Sequence, residues 1–235
     1  MNRRVPPRAP LREASLETLR TARVWYLGGE GPGEPAEIWY LLHGYGERAD
    51  RFLGRFRPLA SPDRLLVAPE GLSRFYLARG GKGRRSTGDR VGASWMTRLA
   101  RDAEIRDYVR YLGLVARQTE EGRRGEEPVR TVLGFSQGVH TAARWVCLGG
   151  LRTRRLILWG ASLPEDLPDG AVGRLAATRL ILVRGREDHL RRPDAEEAEE
   201  RWLGRAGIDW TVRTHEGGHE IVPSLLQAVA GDAGP

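Results

Sequence analysis

The sequence is short of cysteine, lysine and long apolar runs, and each shortage excludes something. Cys147 is the only cysteine in 235 residues. No internal disulfide can therefore form, and no cysteine cluster exists to hold zinc. Cys147 falls in "WVCLGG", where a buried, unreactive thiol is expected. No apolar run approaches the roughly 18 residues of a membrane span, so no integral membrane contact is expected. The start, "MNRRVPPRAP", is basic but runs into prolines where a secretory leader would have an apolar core. A cytoplasmic location is the expectation. Lys82 is the only lysine, so the formal net charge of +7 is carried by arginine. Those arginines are interleaved with 31 acidic residues. No recognised nucleic-acid module accompanies them, and no nucleic-acid partner is expected.

What is present is a soluble, globular composition, 40% hydrophobic with a mean hydropathy of −0.47. The length suits one large domain with a substantial core. Residues 1–20 read as a partly flexible N-terminal extension, Pro- and Arg-rich and then weakly helical. Residues 21–235 read as the domain. "VWYLG" and "EIWYLLHG" are strand-like and separated by turn-rich residues, which predicts a hairpin. "RLLVAPEG", "TVLGFS", "RLILWGAS" and "RLILVRG" are short, continuously apolar strands of the kind covered on both faces. "DWTVRTH" is a further strand.

Between the strands lie helical patterns. Ile105, Tyr108, Val109, Leu112 and Val115 recur at three- and four-residue spacing, with Asp102 as the expected N-cap. Residues 138–148, 193–207 and 220–230 are the other helices expected. The alternation predicts an α/β protein with one mostly parallel, twisted sheet of about seven strands and helices on both faces.

Two chemistries compete for "HEGGH", residues 215–219. The letters fit H-E-x-x-H, a zinc motif on a helix. Two consecutive glycines oppose a helix there, at about 1 kcal/mol each, and "DWTVRT" before them is strand-like. The alternative is a Gly-rich loop presenting His219 as a general base. No metal is expected.

Gly134-Phe135-Ser136-Gln137-Gly138 fits G-x-S-x-G. The pentapeptide alone is a weak signal, but it lies between a strand and a helix, as a nucleophile elbow must. A serine hydroxyl needs a base to take its proton. In this architecture the acid and then the histidine follow the serine along the chain. Ser136, Asp188 and His219 meet that order, with Glu187 and Asp194 as rivals of Asp188. A tetrahedral oxyanion needs two N–H donors. Gln137, after the nucleophile, supplies one. The loop "HGYG" supplies the other, from Tyr45, with Gly46 as runner-up.

"LLHGYGERADRF", "APEG", "SW", "GFSQG", "GREDHLRRP" and "GGHEI" together resemble the phospholipase/carboxylesterase family of α/β-hydrolases, over about residues 22–230. Small bacterial carboxylesterases and acyl-protein thioesterases belong to it. The resemblance implies a cofactor-free serine hydrolase of carboxylic esters or thioesters. Its nucleophile, acid, base and oxyanion donors fall on Ser136, Asp188, His219, Tyr45 and Gln137. Ser94-Trp95 matches a position beside the substrate pocket. The chain departs from the family at Val139, where a second glycine is usual, and in the basic stretch 78–93.

The expected activity is cleavage of esters with short to medium acyl chains through an acyl-enzyme. A thioesterase or lysophospholipase would use the same triad. A non-catalytic binding protein on a hydrolase fold is the alternative from another class. The expected partner is a small-molecule ester or thioester, and a homodimer stays open as an assembly. Only "LPEDLPDGAVGRLAA" separates two late strands, too little for a large cap domain. The site is therefore expected to be a shallow, open cleft walled by residues 71–98, with Leu72, Phe75, Tyr76, Trp95 and Met96 as apolar contacts. Arg79, Lys82, Arg84, Arg85 and Arg90 in that segment either favour an anionic leaving portion or form a solvated face.

Overall fold

The structure is a computed structural model that describes residues 11–77, 90–168, 170 and 172–231. The main sheet has seven strands in the order β1-β3-β2-β6-β7-β8-β9. They are β1 (Val24–Gly28), β2 (Glu37–Leu42), β3 (Arg64–Pro69), β6 (Val129–Phe135), β7 (Arg155–Trp159), β8 (Arg179–Gly185) and β9 (Trp210–His215). Every pairing is parallel except β1 with β3. A separate antiparallel pair joins β4 (Ser73–Tyr76) to β5 (Val91–Ser94).

Alternation along β2 shows why both faces are covered. Ile38, Tyr40 and Leu42 point into one cluster with Ile105, Tyr108, Leu112, Val139 and Trp145. Those partners come from α2 (Arg101–Thr119) and α3 (Gln137–Leu148). Trp39 and Leu41 point the other way, against Phe52, Leu53, Leu226 and Val229. Those belong to α1 (Ala49–Gly54) and α6 (Pro223–Gly231). Between β7 and β8 the described residues carry only the short α4 (Val172–Ala176), so no large cap domain is present there. α5 (Pro193–Arg205) links β8 to β9, with its proline in the first turn.

Three local expectations change. β1 and β2 do not form a hairpin, because β3 lies between them. The apolar, two-sided β2 needs a neighbour on each side, whereas β1, with Trp25 36% and Tyr26 48% exposed, suits an edge. Residues 11–20 form no helix and are exposed, with no packed face to offset the entropy of ordering. Asp102 is not the N-cap of α2. That position is Ala100 at φ 49°, and Asp102 sits in the first turn, where its charge still favours the helix dipole.

Candidate active site

Ser136 stands alone between the last residue of β6 and the first of α3. Its backbone is at φ 54°, ψ −118°. Only Ala100 shares a positive φ among the described non-glycine residues. A conformation of this kind costs about 1–3 kcal/mol and persists only when its surroundings hold it. Here the Ser136 N–H donates to the Trp159 carbonyl at 2.9 Å, and the Ser136 carbonyl accepts from the Val139 N–H at 3.0 Å. The flanking glycines have a steric cause. A Cβ on Gly134 would lie 2.2 Å from the Gly138 carbonyl oxygen, and one on Gly138 would lie 2.1 Å from that of Leu42. The chain can turn this sharply only where both side chains are missing.

Asp188 follows β8 and is buried, whereas its rivals Glu187 and Asp194 are exposed. Its Oδ1 accepts the Leu190 N–H at 2.8 Å. Its Oδ2 lies 2.6 Å from His219 Nδ1. That contact holds the imidazole with its proton on Nδ1, which leaves a lone pair on Nε2. Nε2 is buried without a hydrogen-bond partner among the described residues. Both His219 and Ser136 border one cavity. Two residues not expected from sequence set the ring's position. Phe135 packs against it at 4.9 Å between centroids. Gly160 leaves room beneath it, since a Cβ there would stand 3.1 Å from His219 Cε1. The glycine in "LWGAS" was the available signal.

Residues 216–222 form no helix, so His215 and His219 do not share a helical face. His215 is buried with neither ring nitrogen partnered among the described residues. No group of three metal-ligating side chains gathers among those residues.

The loop after β2 is held at several points. His43 is fully buried. Its Nε2 accepts the Gly71 N–H at 2.9 Å, so Nδ1 carries the proton and donates to the Gly44 carbonyl at 2.8 Å. The His43 carbonyl accepts the Trp95 indole N–H at 2.8 Å. The Gly44 N–H is taken by Glu47 at 2.9 Å and that of Gly46 by the Ala93 carbonyl at 2.8 Å. That removes Gly46 as a free donor. The Tyr45 N–H has no partner among the described residues, and Gln137, first in α3, has none within its helix. The loop passes close to the elbow, because a Cβ on Gly44 would lie 3.3 Å from Ser136 Cβ. The Gln137 side chain reaches across to Ser94–Met96. Its Oε1 accepts the Trp95 N–H at 3.1 Å and its Nε2 donates to the Met96 carbonyl at 2.8 Å.

The cavity beside Ser136 has a volume of about 1100 Å³. Of the expected wall, residues 71–98, only Met96, Thr97 and Arg98 border it among the described residues. The rest of the wall comes from residues 160–167 after β7, from α3, from α5 and the loop before it, and from Arg101. Of the five apolar candidates only Met96 borders it. Leu72 packs on the core and Trp95 is 2% exposed. Phe75 packs on Tyr45 at 5.2 Å between ring centroids, and Tyr76 is 63% exposed. Pairing of β4 with β5 is the cause, since it folds this segment over the Tyr45 loop instead of the cavity. Arg90 is exposed. Arg79, Lys82, Arg84 and Arg85 lie outside the described residues.

The cavity wall is strongly charged. Asp166 bridges Arg144 and Arg101 at 2.7 and 2.5 Å. Burial alone would raise its pKa, but hydrogen bonds from the two guanidiniums outweigh that and hold it at about 2. His140, one turn beyond Ser136, is pushed below the usual histidine range by burial and by Arg144.

No protein-family profile and no curated protein sequence matches the chain. Solved structures do. A carboxylesterase from Mesorhizobium loti superposes with a TM-score of 0.65 at 22% identity, over 89% of this chain and 95% of that one. The chain has the α/β-hydrolase fold. Acyl-protein thioesterase 2 from Zea mays is similar at a TM-score of 0.61 and 16% identity, over 89% of this chain and 96% of its own. The Bacillus cereus carboxylesterase reaches 0.62 at 15% identity, over 88% and 91%. The likeness thus runs along nearly the whole of each chain, in shape far more than in sequence.

Proposed function

We propose that this chain is a serine hydrolase of carboxylic esters with short to medium acyl chains. The observation that carries the reading is the strained Ser136 on the same cavity as His219, whose Nδ1 is tied to Asp188. In this reading Ser136 Oγ attacks the ester carbonyl carbon and His219 Nε2 takes the hydroxyl proton. The carbonyl electron pair moves to oxygen, where the N–H groups of Tyr45 and Gln137 receive it. Collapse breaks the bond to the alcohol, which leaves with the proton from Nε2. Water then attacks the acyl-enzyme and gives a proton to His219, which passes it to Ser136 Oγ as the bond to the acyl carbon breaks and the acid is released. Asp188 holds the tautomer and stabilises the imidazolium throughout.

The cavity supports the acyl range. Met96, Leu163, Leu167 and Leu190 give apolar contact, but Arg101, Arg144, Asp166 and Arg184 interrupt it. A buried methylene contributes about 0.8 kcal/mol only where it finds apolar wall. kcat/KM for aryl esters is therefore expected to peak at short to medium acyl length. A thioester enters the same steps with a thiol as leaving group, and a structural relative bears the name acyl-protein thioesterase. Parallel ester and thioester panels separate the two. The test of the reading itself is Ser136→Ala, which should lower ester turnover by several orders of magnitude in a folded protein. Undiminished turnover would remove Ser136 as nucleophile.

A further inference from the structure

Two arginines on the cavity wall are held by one carboxylate. Arg144 Nη2 donates to Asp166 Oδ1 at 2.7 Å, and Arg101 Nη2 donates to Asp166 Oδ2 at 2.5 Å. Each oxygen serves a different guanidinium. Arg101 also reaches the exposed Asp102 at 3.4 Å, so Asp166 is the carboxylate that the two guanidiniums share. Two further wall arginines, Arg184 and Arg191, meet glutamates of α5. Arg184 meets Glu199 at 3.0 Å and Glu200 at 2.6 Å, and Arg191 meets Glu196 at 2.6 Å.

The fixed partner in the cluster is the cation. The Arg144 side chain is 5% exposed, in the middle of α3. Its Nη1 also donates to the Tyr108 hydroxyl at 3.3 Å. A guanidinium buried this far must keep a carboxylate partner. Asp166, by contrast, lies in the loop after β7 with its side chain 39% exposed. It is the member that can leave, because water can take it up.

Placement ties the cluster to the reaction centre. Ser136, His140 and Arg144 follow one another at four-residue spacing, and all three border the cavity. Eight residues of helix rise about 12 Å. Arginine side chains on a helix lean back toward its N-terminus, here toward Ser136, which shortens that span.

We infer that Arg101 and Arg144 form a carboxylate-recognition site, that the preferred substrate is an ester carrying a free carboxylate of its own, and that Asp166 is the internal occupant which this carboxylate displaces. The inference rests on the hydrolase reading above. Exchange of one carboxylate for another leaves no buried guanidinium unpaired. The two-oxygen, two-guanidinium arrangement already seen with Asp166 is the geometry the substrate would reproduce. A neutral ester of equal length leaves Asp166 in place and gains nothing from the pair.

The test compares kcat/KM within two matched pairs, using the full chain. An aryl hemiglutarate against the aryl pentanoate puts the acid on the acyl side. The acetyl ester of a hydroxy acid against that of the corresponding simple alcohol puts it on the alcohol side. The acid-to-neutral ratio should be on the order of tenfold in at least one pair, the effect of a single charge-assisted hydrogen bond. Asp166→Asn removes the competitor and should raise that ratio. Arg101→Gln should bring it to one or below. Arg101 is used because its side chain is 35% exposed, whereas a change at buried Arg144 risks the fold.

Glutarate binding to Ser136→Ala by calorimetry reads the site without turnover, and binding should tighten when Asp166→Asn is added. Neutral esters turned over with ratios at or below one, and no glutarate binding, would overturn the site and leave the hydrolase reading intact. Glutarate binding with no ester turned over would do the reverse. A ratio unmoved by Asp166→Asn would overturn the displacement.

Discussion

A methyl group on Gly138 would stand 2.1 Å from the Leu42 carbonyl oxygen. The first turn of α3 is thus pressed against the end of β2, directly beside the loop that carries Tyr45. Ser136 owes its position to that contact as much as to its own backbone angles.

Gly138→Ala should therefore cost stability and activity together. Forcing a methyl into close-packed backbone costs about 1–3 kcal/mol. For a chain of this size each 1 kcal/mol lowers Tm by roughly 2–4 °C. Ester turnover should fall further than the loss of folded protein explains, because the elbow itself must shift. Calorimetry and initial rates check this, and an unchanged Tm would show that the contact relaxes freely.

Asp188→Asn should reduce kcat by about 10³–10⁴-fold, because an amide can turn its NH₂ toward His219 Nδ1 and favour the wrong tautomer. Glu187→Gln, one residue away and exposed, should keep most of the activity. Steady-state kinetics on both variants decide between the two acids. Equal losses would return the choice to Glu187 or to neither.

The local parts of this site were legible in the sequence, and the long-range parts were not. The elbow could be read because Gly134, Ser136 and Gly138 lie within five residues and between a strand pattern and a helix pattern. Asp188 and His219 could be named because each follows a strand in a known order. The cavity could not be placed. Its wall depends on how residues 160–167 and α5 pack around Ser136, and no periodicity encodes that. Trp95 and Phe75 looked like pocket aromatics, yet one closes over His43 and the other over Tyr45. β1 looked like a hairpin partner of β2, although β3, more than twenty residues later, takes that place. His43 reads as an ordinary histidine until its two backbone partners are known.

Those partners make stability depend on pH. Burial lowers the His43 pKa from its ordinary 6.5. A proton on Nε2 would also face the Gly71 N–H that donates to it. Burial lowers His140 as well. Below pH 6.5 the unfolded chain therefore binds protons that the folded chain refuses. Stability contributed by the neutral imidazoles is present above that pH and is lost as pH falls toward the lowered folded values. The slope is up to about 1.4 kcal/mol per pH unit for each histidine. Tm should fall between pH 7 and 5.5. A flat or rising Tm would contradict neutral imidazoles at His43 and His140 in the folded chain.

Metal should play no part in turnover. The motivation is geometric, since His219 Nδ1 is occupied by Asp188 and residues 216–222 are not helical. Activity should survive exhaustive chelation. His219→Ala should abolish turnover, whereas His215→Ala should retain most of it. Equal loss in both variants, with zinc released from the wild type, would reverse the reading of "HEGGH".

The hydrolase reading stands on Ser136 as an activated nucleophile. A fluorophosphonate probe measures this directly, since it bonds to a serine only where a base withdraws the proton. Intact-mass and peptide mapping should find one adduct per chain, on Ser136. The adduct should be absent after Ser136→Ala and strongly slowed after His219→Ala. A chain that stays unlabelled while folded, or that carries the label on another serine, would rule out Ser136 as the activated nucleophile.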